Sequence, residues 1–220
     1  MIGLSLPNQN QDSWEDLVQL VSPYTLSDSQ RLGSLYHLAE TLKTQGISGD
    51  FVECGVYKGG SAAILARSLS ENTRIWLFDS FQGMPETTER DGHEAAEWVG
   101  ACVGQIEDVN TVMNTLNISQ DQYLIRPGWF EETFQDTLPD QVSLLHCDAD
   151  WYDSVTLVLE TFYPRMPRGG CVVLDDFGYW EGCREAFYDF CFRHNEKPLL
   201  ERVGTTQAYW IKGKTHTRHG

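Results

Sequence analysis

The sequence predicts an α/β fold with a doubly wound, mostly parallel sheet, and three observations carry that expectation. Short apolar runs recur along the chain with helix-length spacers between them, the pattern of strands joined by helical crossovers. Several of these runs end directly on a glycine or an acid, at Gly55, Asp79, Asp148 and Asp175, and ligands in such sheets gather beyond the carboxyl ends of the strands. One transition, Asp50-Phe51-Val52-Glu53-Cys54-Gly55-Val56-Tyr57-Lys58-Gly59-Gly60-Ser61, reads as strand, tight glycine turn and helix start.

The elements follow in order. Ser27 to Lys43 places Leu32, Leu35, Leu38, Ala39 and Leu42 at helical spacing, with Ser27 and Asp28 as cap candidates. It belongs to an N-terminal helical cap over residues 1–48. The first strand is Phe51 to Gly55 and its helix Ser61 to Ser70. The second strand, Arg74 to Phe78, ends at Asp79, and a third, Gln122 to Arg126, ends in Pro127-Gly128. Val142 to Cys147 makes a fourth strand and leads into an amphipathic helix from Ser154 to Tyr163. Pro164, Pro167, Gly169 and Gly170 stop that helix before a fifth strand, Cys171 to Leu174. Glu181 to Asn195 is a further helix with Ala186, Phe187, Phe190 and Cys191 on one face. Ala208 to Ile211 is a final, hairpin-type antiparallel strand, and the tail from Lys212 frays. Pro85 to Asp108 is long and polar, the character of a lid or binding loop inserted in one domain spanning residues 1–220.

A formal net charge of −16 argues against nucleic acid and anionic membranes as partners. No apolar run approaches the roughly 18 residues of a membrane helix, and the N-terminus lacks the layout of a signal peptide, so a soluble, cytoplasmic protein is expected. The six cysteines are scattered without a Cys-x-x-Cys pair, which fits neither a disulfide framework nor a zinc site.

The chemistry lies at the strand ends. The glycine turn lacks the Lys-Ser/Thr ending of a phosphate loop and is not Gly-x-Gly-x-x-Gly. Glu53 would repel a pyrophosphate, so the ligand carries a cation or hydroxyls. Asp79 is placed for ribose hydroxyls, or else only caps the next turn. Two further segments, His146-Cys147-Asp148-Ala149-Asp150 and Leu174-Asp175-Asp176, bring carboxylates to one sheet edge without basic neighbours. Such carboxylates raise one another's pKa, and a hard divalent cation such as Mg²⁺ or Ca²⁺ relieves the repulsion. His146 reads as a satisfied core imidazole. Phe177, Tyr179, Trp180, Trp151 and Tyr152 either wall a pocket or pack in the core. From these residues alone, metal-dependent phosphotransfer, glycosyl transfer and non-catalytic ligand binding stay open beside methyl transfer.

Five motifs in order narrow the choice: Glu53-Cys54-Gly55-x-x-x-Gly59-Gly60-Ser61; Leu77-Phe78-Asp79-Ser80-Phe81-x-Gly83-Met84-Pro85; Gly128-Trp129-Phe130 with Thr137-Leu138-Pro139; Asp148-Ala149-Asp150-Trp151-Tyr152; and Gly169-Gly170 leading to Asp175-Asp176. Together they resemble the TylF family of macrocin-type O-methyltransferases, over about Tyr24 to Lys212. The resemblance implies a Rossmann-like fold, S-adenosylmethionine and Mg²⁺ as cofactors, and a small hydroxylated acceptor, foremost a sugar hydroxyl of a glycosylated natural product. It implies that Glu53 and Gly55 line the methionine part of the cofactor, with Tyr57, Gly59, Gly60 and Ser61 in the same loop. Asp79 would bind the ribose, with Ser80 and Phe81 beside the adenosine and Gly128, Trp129 and Phe130 at the adenine. Asp148, Asp175 and Asp176 would hold the metal, Asp148 also bordering the cofactor, and Asp148 or Asp150 would be the base. A homo-oligomer is a further implication. The chain departs from the family pattern at Ala149, where glycine is frequent, and at His146.

Overall fold

The computed structural model describes residues 13–216; residues 1–12 of the expected cap and 217–220 of the expected frayed tail lie outside them. Seven strands form one sheet: β1 (Asp50–Cys54), β2 (Ile75–Asp79), β3 (Tyr123–Pro127), β4 (Val142–Cys147), β5 (Cys171–Leu174), β6 (Glu201–Val203) and β7 (Gln207–Ile211). Their order is β3-β2-β1-β4-β5-β7-β6. The first five are parallel, and β6 and β7 add an antiparallel hairpin at one side. The order reverses between β1 and β4, which opens a crevice at their carboxyl ends. The central strands are buried on both faces, as in a sheet covered by helices on both sides; all six residues of β4 are buried.

The helices are α1 (Trp14–Val21), α2 (Ser29–Thr44), α3 (Gly60–Ala66), α4 (Ile106–Thr115), α5 (Phe130–Thr133), α6 (Tyr152–Phe162) and α7 (Glu181–Arg193). One face of the sheet packs α1 to α4 around Leu35, Ile64, Leu77, Leu144 and Val173. The other packs α5 to α7 around Phe78, Leu145, Phe162, Phe190 and Trp210. Asp28, not Ser27, caps α2, accepting from the amides of Gln30 and Arg31, both at 2.9 Å. Helix α3 stops at Ala66, short of the expected Ser70. Helix α1, within the expected N-terminal cap, is opened by a reciprocal Ser13–Asp16 cap, whereas α4 and the single turn α5 are additional to the expected elements.

The polar segment from Pro85 is more tightly held than a loop of its composition suggests, and α4 takes over from Ile106. Its base is closed by paired amides, Met84 to Ala101 and Gly100 to Met84, both at 2.9 Å. Asp91, 1% exposed, reaches across to the start of α6 and accepts from the Tyr152 amide at 2.6 Å. Its other oxygen accepts from the Thr88 amide at 2.7 Å and the Thr88 hydroxyl at 2.9 Å. No side chain of its own caps α6, so a residue sixty-one positions away does it. A Cβ on Gly182 would overlap that same Asp91 oxygen.

Candidate active site

A cavity of about 650 Å³ lies over the crevice between β1 and β4, a size suited to a small-molecule site. Gly55, Tyr57, Ser61, Asp79, Ser80, Gly128, Trp129, Phe130 and Asp148 all border it. Gly55 has φ +88°, and a Cβ there would overlap the Asp148 carbonyl oxygen. That contact is possible because the ladder runs past the strands, with the Asp148 amide donating to Cys54 O at 2.8 Å. Asp79 accepts from the amides of Val56 at 2.7 Å and Tyr57 at 2.9 Å on Oδ2, and from Phe81 at 2.6 Å on Oδ1. Three of its roughly four acceptor positions are thus filled by backbone, which ties the glycine turn to the end of β2.

Four of the anticipated cofactor residues sit off the cavity wall. Glu53 is fully buried within the sheet, where its Oε1 faces His146 Nδ1 at 2.8 Å. Gly59 and Gly60 serve packing: a Cβ on Gly59 would press into Val109 of α4, and one on Gly60 would meet Thr25 and the Tyr24 carbonyl. Phe81 turns away into the apolar cluster under α2 and α3.

Alternation along β5 and its continuation separates Asp175 from Asp176. Side chains along a strand alternate between faces, and the Asp175 amide extends the ladder by donating to Cys147 O at 3.0 Å. Asp175 therefore falls on the α2 face with His146 and Glu53, and Glu53 pairs directly with His146 across β1 and β4. His146 Nε2 lies 3.4 Å from Asp175 Oδ1, Gln207 Nε2 donates to that oxygen at 2.8 Å, and Arg31 Nη1 pairs with Oδ2. Burial alone would lower the His146 imidazole, but its bonds to Asp175 and Glu53 outweigh that and push its pKa up to about 10. Burial would raise Asp175, yet its bond to His146, then the charges of His146 and Arg31, hold it below the usual carboxylate range. His146 is thus the satisfied, buried imidazole expected, and it bridges two buried acids.

The expected metal set needs a corresponding correction. Both oxygens of Asp175 are engaged, and the group that comes together is Asp148, Asp150 and Asp176, whose nearest oxygens lie within 4.8 Å of one another. All three touch solvent inside the cavity while protein surrounds them otherwise. Burial, then the charge of Asp175, pushes Asp148 well above the normal range; burial, then Asp150 and Asp148, does the same to Asp176. Burial raises Asp150 to about 7 against the opposing bond from Trp180, whose Nε1 donates to Asp150 Oδ1 at 2.9 Å. Asp150 itself is held at φ +56°. Asp176 Oδ2 is buried without a hydrogen-bond partner. Mutually repelling oxygens with an unpartnered acceptor among them fit a hard divalent cation.

Of the aromatic candidates, Tyr179 and Trp180 border the cavity, joined by Trp98 from the 85–105 segment. Phe177, Trp151 and Tyr152 are buried in the core around α6 and α7. Arg31 was not anticipated. Nothing in its sequence surroundings sets it apart from a surface arginine one turn into an amphipathic helix.

Comparison with known proteins gives the fold relatives and the family. NovP, an O-methyltransferase of known structure, superimposes with a TM-score of 0.80 at 25% identity, covering 87% of this chain and 83% of its own. The calicheamicin methyltransferase CalS11 has the same fold, with a TM-score of 0.68 at 18% identity, covering 96% of this chain and 95% of its own. Among sequence relatives, a Streptomyces olivaceus enzyme, 8-demethyl-8-(2,3-dimethoxy-alpha-L-rhamnosyl)-tetracenomycin-C 4'-O-methyltransferase, is 31% identical over 197 residues, 85% of this chain and 75% of its own. Mycinamicin III 3''-O-methyltransferase of Micromonospora griseorubida is 31% identical over 199 residues, 85% of this chain and 78% of its own. The family model for macrocin-O-methyltransferase (TylF) matches residues 9–212. The chain therefore belongs to the macrocin-O-methyltransferase family and is an S-adenosylmethionine-dependent O-methyltransferase.

Proposed function

We propose that this enzyme transfers a methyl group to a sugar hydroxyl of a glycosylated natural product, in the cytoplasm and with the help of Mg²⁺. The Asp148, Asp150 and Asp176 cluster beside the glycine turn carries this reading. Asp148, Asp150 and Asp176 would hold Mg²⁺, which would supply a Lewis acid that makes a hydroxyl more acidic, and S-adenosylmethionine would supply the sulfonium methyl. Gly55, Ser61, Asp79, Ser80, Gly128, Trp129 and Phe130 would hold the donor along the ends of β1 to β3. Asp150, oriented by the bond from Trp180, would take the hydroxyl proton. Asp148 is the other acid within reach. Held in line, the oxygen and the methyl carbon gain most of the acceleration from orientation, roughly 7–11 kcal/mol. The stitched 85–105 segment would exclude water above them.

The test is methyl transfer to a panel of rhamnosides with and without chelator. Activity should vanish with EDTA and return with added Mg²⁺. Undiminished activity in EDTA would remove the metal, and transfer only to catechols would remove the sugar.

A further inference from the structure

Arg31 is the one basic side chain bordering the cavity among the described residues. It stands in the first turn of α2, and its side chain is only 16% exposed. A long cation is rarely taken this far from water without a partner, and here both arms of the guanidinium fork are used. Nη1 pairs with Asp175 Oδ2, and Nη2 donates to the Leu26 carbonyl at 2.8 Å. The first contact reaches the end of β5, 144 residues on, beside the carboxylate cluster. The second holds the segment that leads into α2.

That segment is a wall of the cavity, bordering it through Thr25, Leu26 and Ser27. Its chain is pinned at two points. Tyr24 and Thr25 lie so close over Gly60 of the glycine turn that a Cβ there would meet both. Further on, Leu26 is 65% exposed, and among the described residues only Arg31 donates to its carbonyl.

The same guanidinium is a fixed positive charge at the acidic edge. Asp175 precedes Asp176 directly, and its two oxygens are divided among Arg31, His146 and Gln207. Burial alone would lower the Arg31 pKa, but the charges of Asp175, then Asp148 and Asp176, raise it. The attraction is mutual: Arg31 offsets part of the negative charge that Asp148 and Asp176 would offer a metal ion.

Resting on the proposed divalent-cation site, we propose that Arg31 is a positioning residue, the resident counter-ion of the acidic edge, which seats the Thr25–Ser27 wall and holds down the affinity of the edge for a divalent cation. One fork therefore ties a wall of the cavity to the charge of its floor. A divalent cation has to share that floor with a positive charge already there, and it is held less tightly than the carboxylates alone would hold it.

The experiment titrates Mn²⁺ and Mg²⁺ calorimetrically into wild type, Arg31→Met, Arg31→Gln and Arg31→Lys without S-adenosylmethionine, at about pH 8.5 to limit competition from protons. The methionine and glutamine variants, which lose the charge, should bind either ion about tenfold more tightly than wild type. The lysine variant, which keeps the charge but not the fork, should stay within about twofold of wild type. Amide hydrogen exchange over residues 25–28 should accelerate in all three. A merely structural arginine would give the faster exchange without the tighter binding. Circular dichroism identifies any neutral variant that fails to fold, and Arg31→Lys, which keeps a cation for Asp175, carries the exchange test independently. Cation affinity unchanged or weakened in the folded neutral variants, or unchanged exchange in Arg31→Lys, would overturn the inference while leaving the cation site in place. No cation binding by any of the four proteins would overturn both.

Discussion

Removing the carboxylate of Asp91 should loosen the cavity cover from the catalytic edge, at a cost that follows from its contacts. Asp91→Ala orphans the buried Tyr152 amide, worth about 1–3 kcal/mol, and with it the only side-chain cap at the start of α6. It also removes two bonds to Thr88. Thr88 is exposed, so water replaces much of them, and they add roughly 1 kcal/mol. The sum is about 2–4 kcal/mol, which for a chain of this size lowers Tm by about 4–16 °C. Asp91→Asn should cost about half as much, because its amide oxygen can still cap Tyr152 while its NH₂ faces the Thr88 amide. Thermal unfolding by circular dichroism reads the first quantity. Amide hydrogen exchange over residues 85–105 reads the second and should accelerate in both variants. A Tm for Asp91→Ala within about 2 °C of wild type, with exchange unchanged, would refute the view that this segment is held through the α6 terminus.

Other expectations concern the buried charges and the glycine turn. In metal-free protein, the folded-state value of Asp150, near 7, lies above the roughly 3.9 of a free aspartate. The stability this represents is complete below about pH 4 and lost as pH rises through 7. Asp148 and Asp176 act in the same sense, and His146 adds a loss between about 6.5 and its folded value near 10. Tm without metal should therefore fall between about pH 5 and 8, and Asp150→Asn should flatten the fall; a Tm rising over that range contradicts the assignment. His146→Leu strips both buried acids of their shared partner and should cost about 3–5 kcal/mol, read by urea unfolding; a loss under about 1 kcal/mol would show that the bridge is dispensable. Gly55→Ala drives a methyl group into the Asp148 carbonyl at a positive φ. It should abolish calorimetric binding of S-adenosylhomocysteine, and retained binding would show that the two turns can part.

Much of the sheet was legible because its strands are continuous apolar runs that end on acids and glycines, and β1 to β5 fall where those signals put them. Helix α4 was also within reach: Val109, Val112, Met113 and Leu116 repeat at helical spacing, but its first turn was absorbed into the polar segment. The division of Asp175 from Asp176 follows from alternation along one strand, yet which of the two faces the cavity depends on a sheet order that no local pattern carries. Glu53 illustrates the same limit. Its spacing to the glycine turn suggests a ligand contact, whereas the registered neighbour His146, ninety-three residues on, takes one of its carboxylate oxygens and leaves the other without a partner. Arg31, Asp91 and Trp98 act through partners remote in the chain, and pairings of that kind leave no trace in local periodicity.

The closeness of Gly55 to the Asp148 carbonyl has a bearing on how such an enzyme can diversify. The donor turn and the acid-bearing turn share a wall with no room for even one carbon between them, so a change on either side is felt at once on the other. Elsewhere the cavity wall draws on side chains remote in sequence, such as Leu26, Trp98 and Tyr179. Sequence change is therefore least tolerated where Gly55 meets Asp148, and the donor turn and the acid-bearing turn can diverge only as a pair.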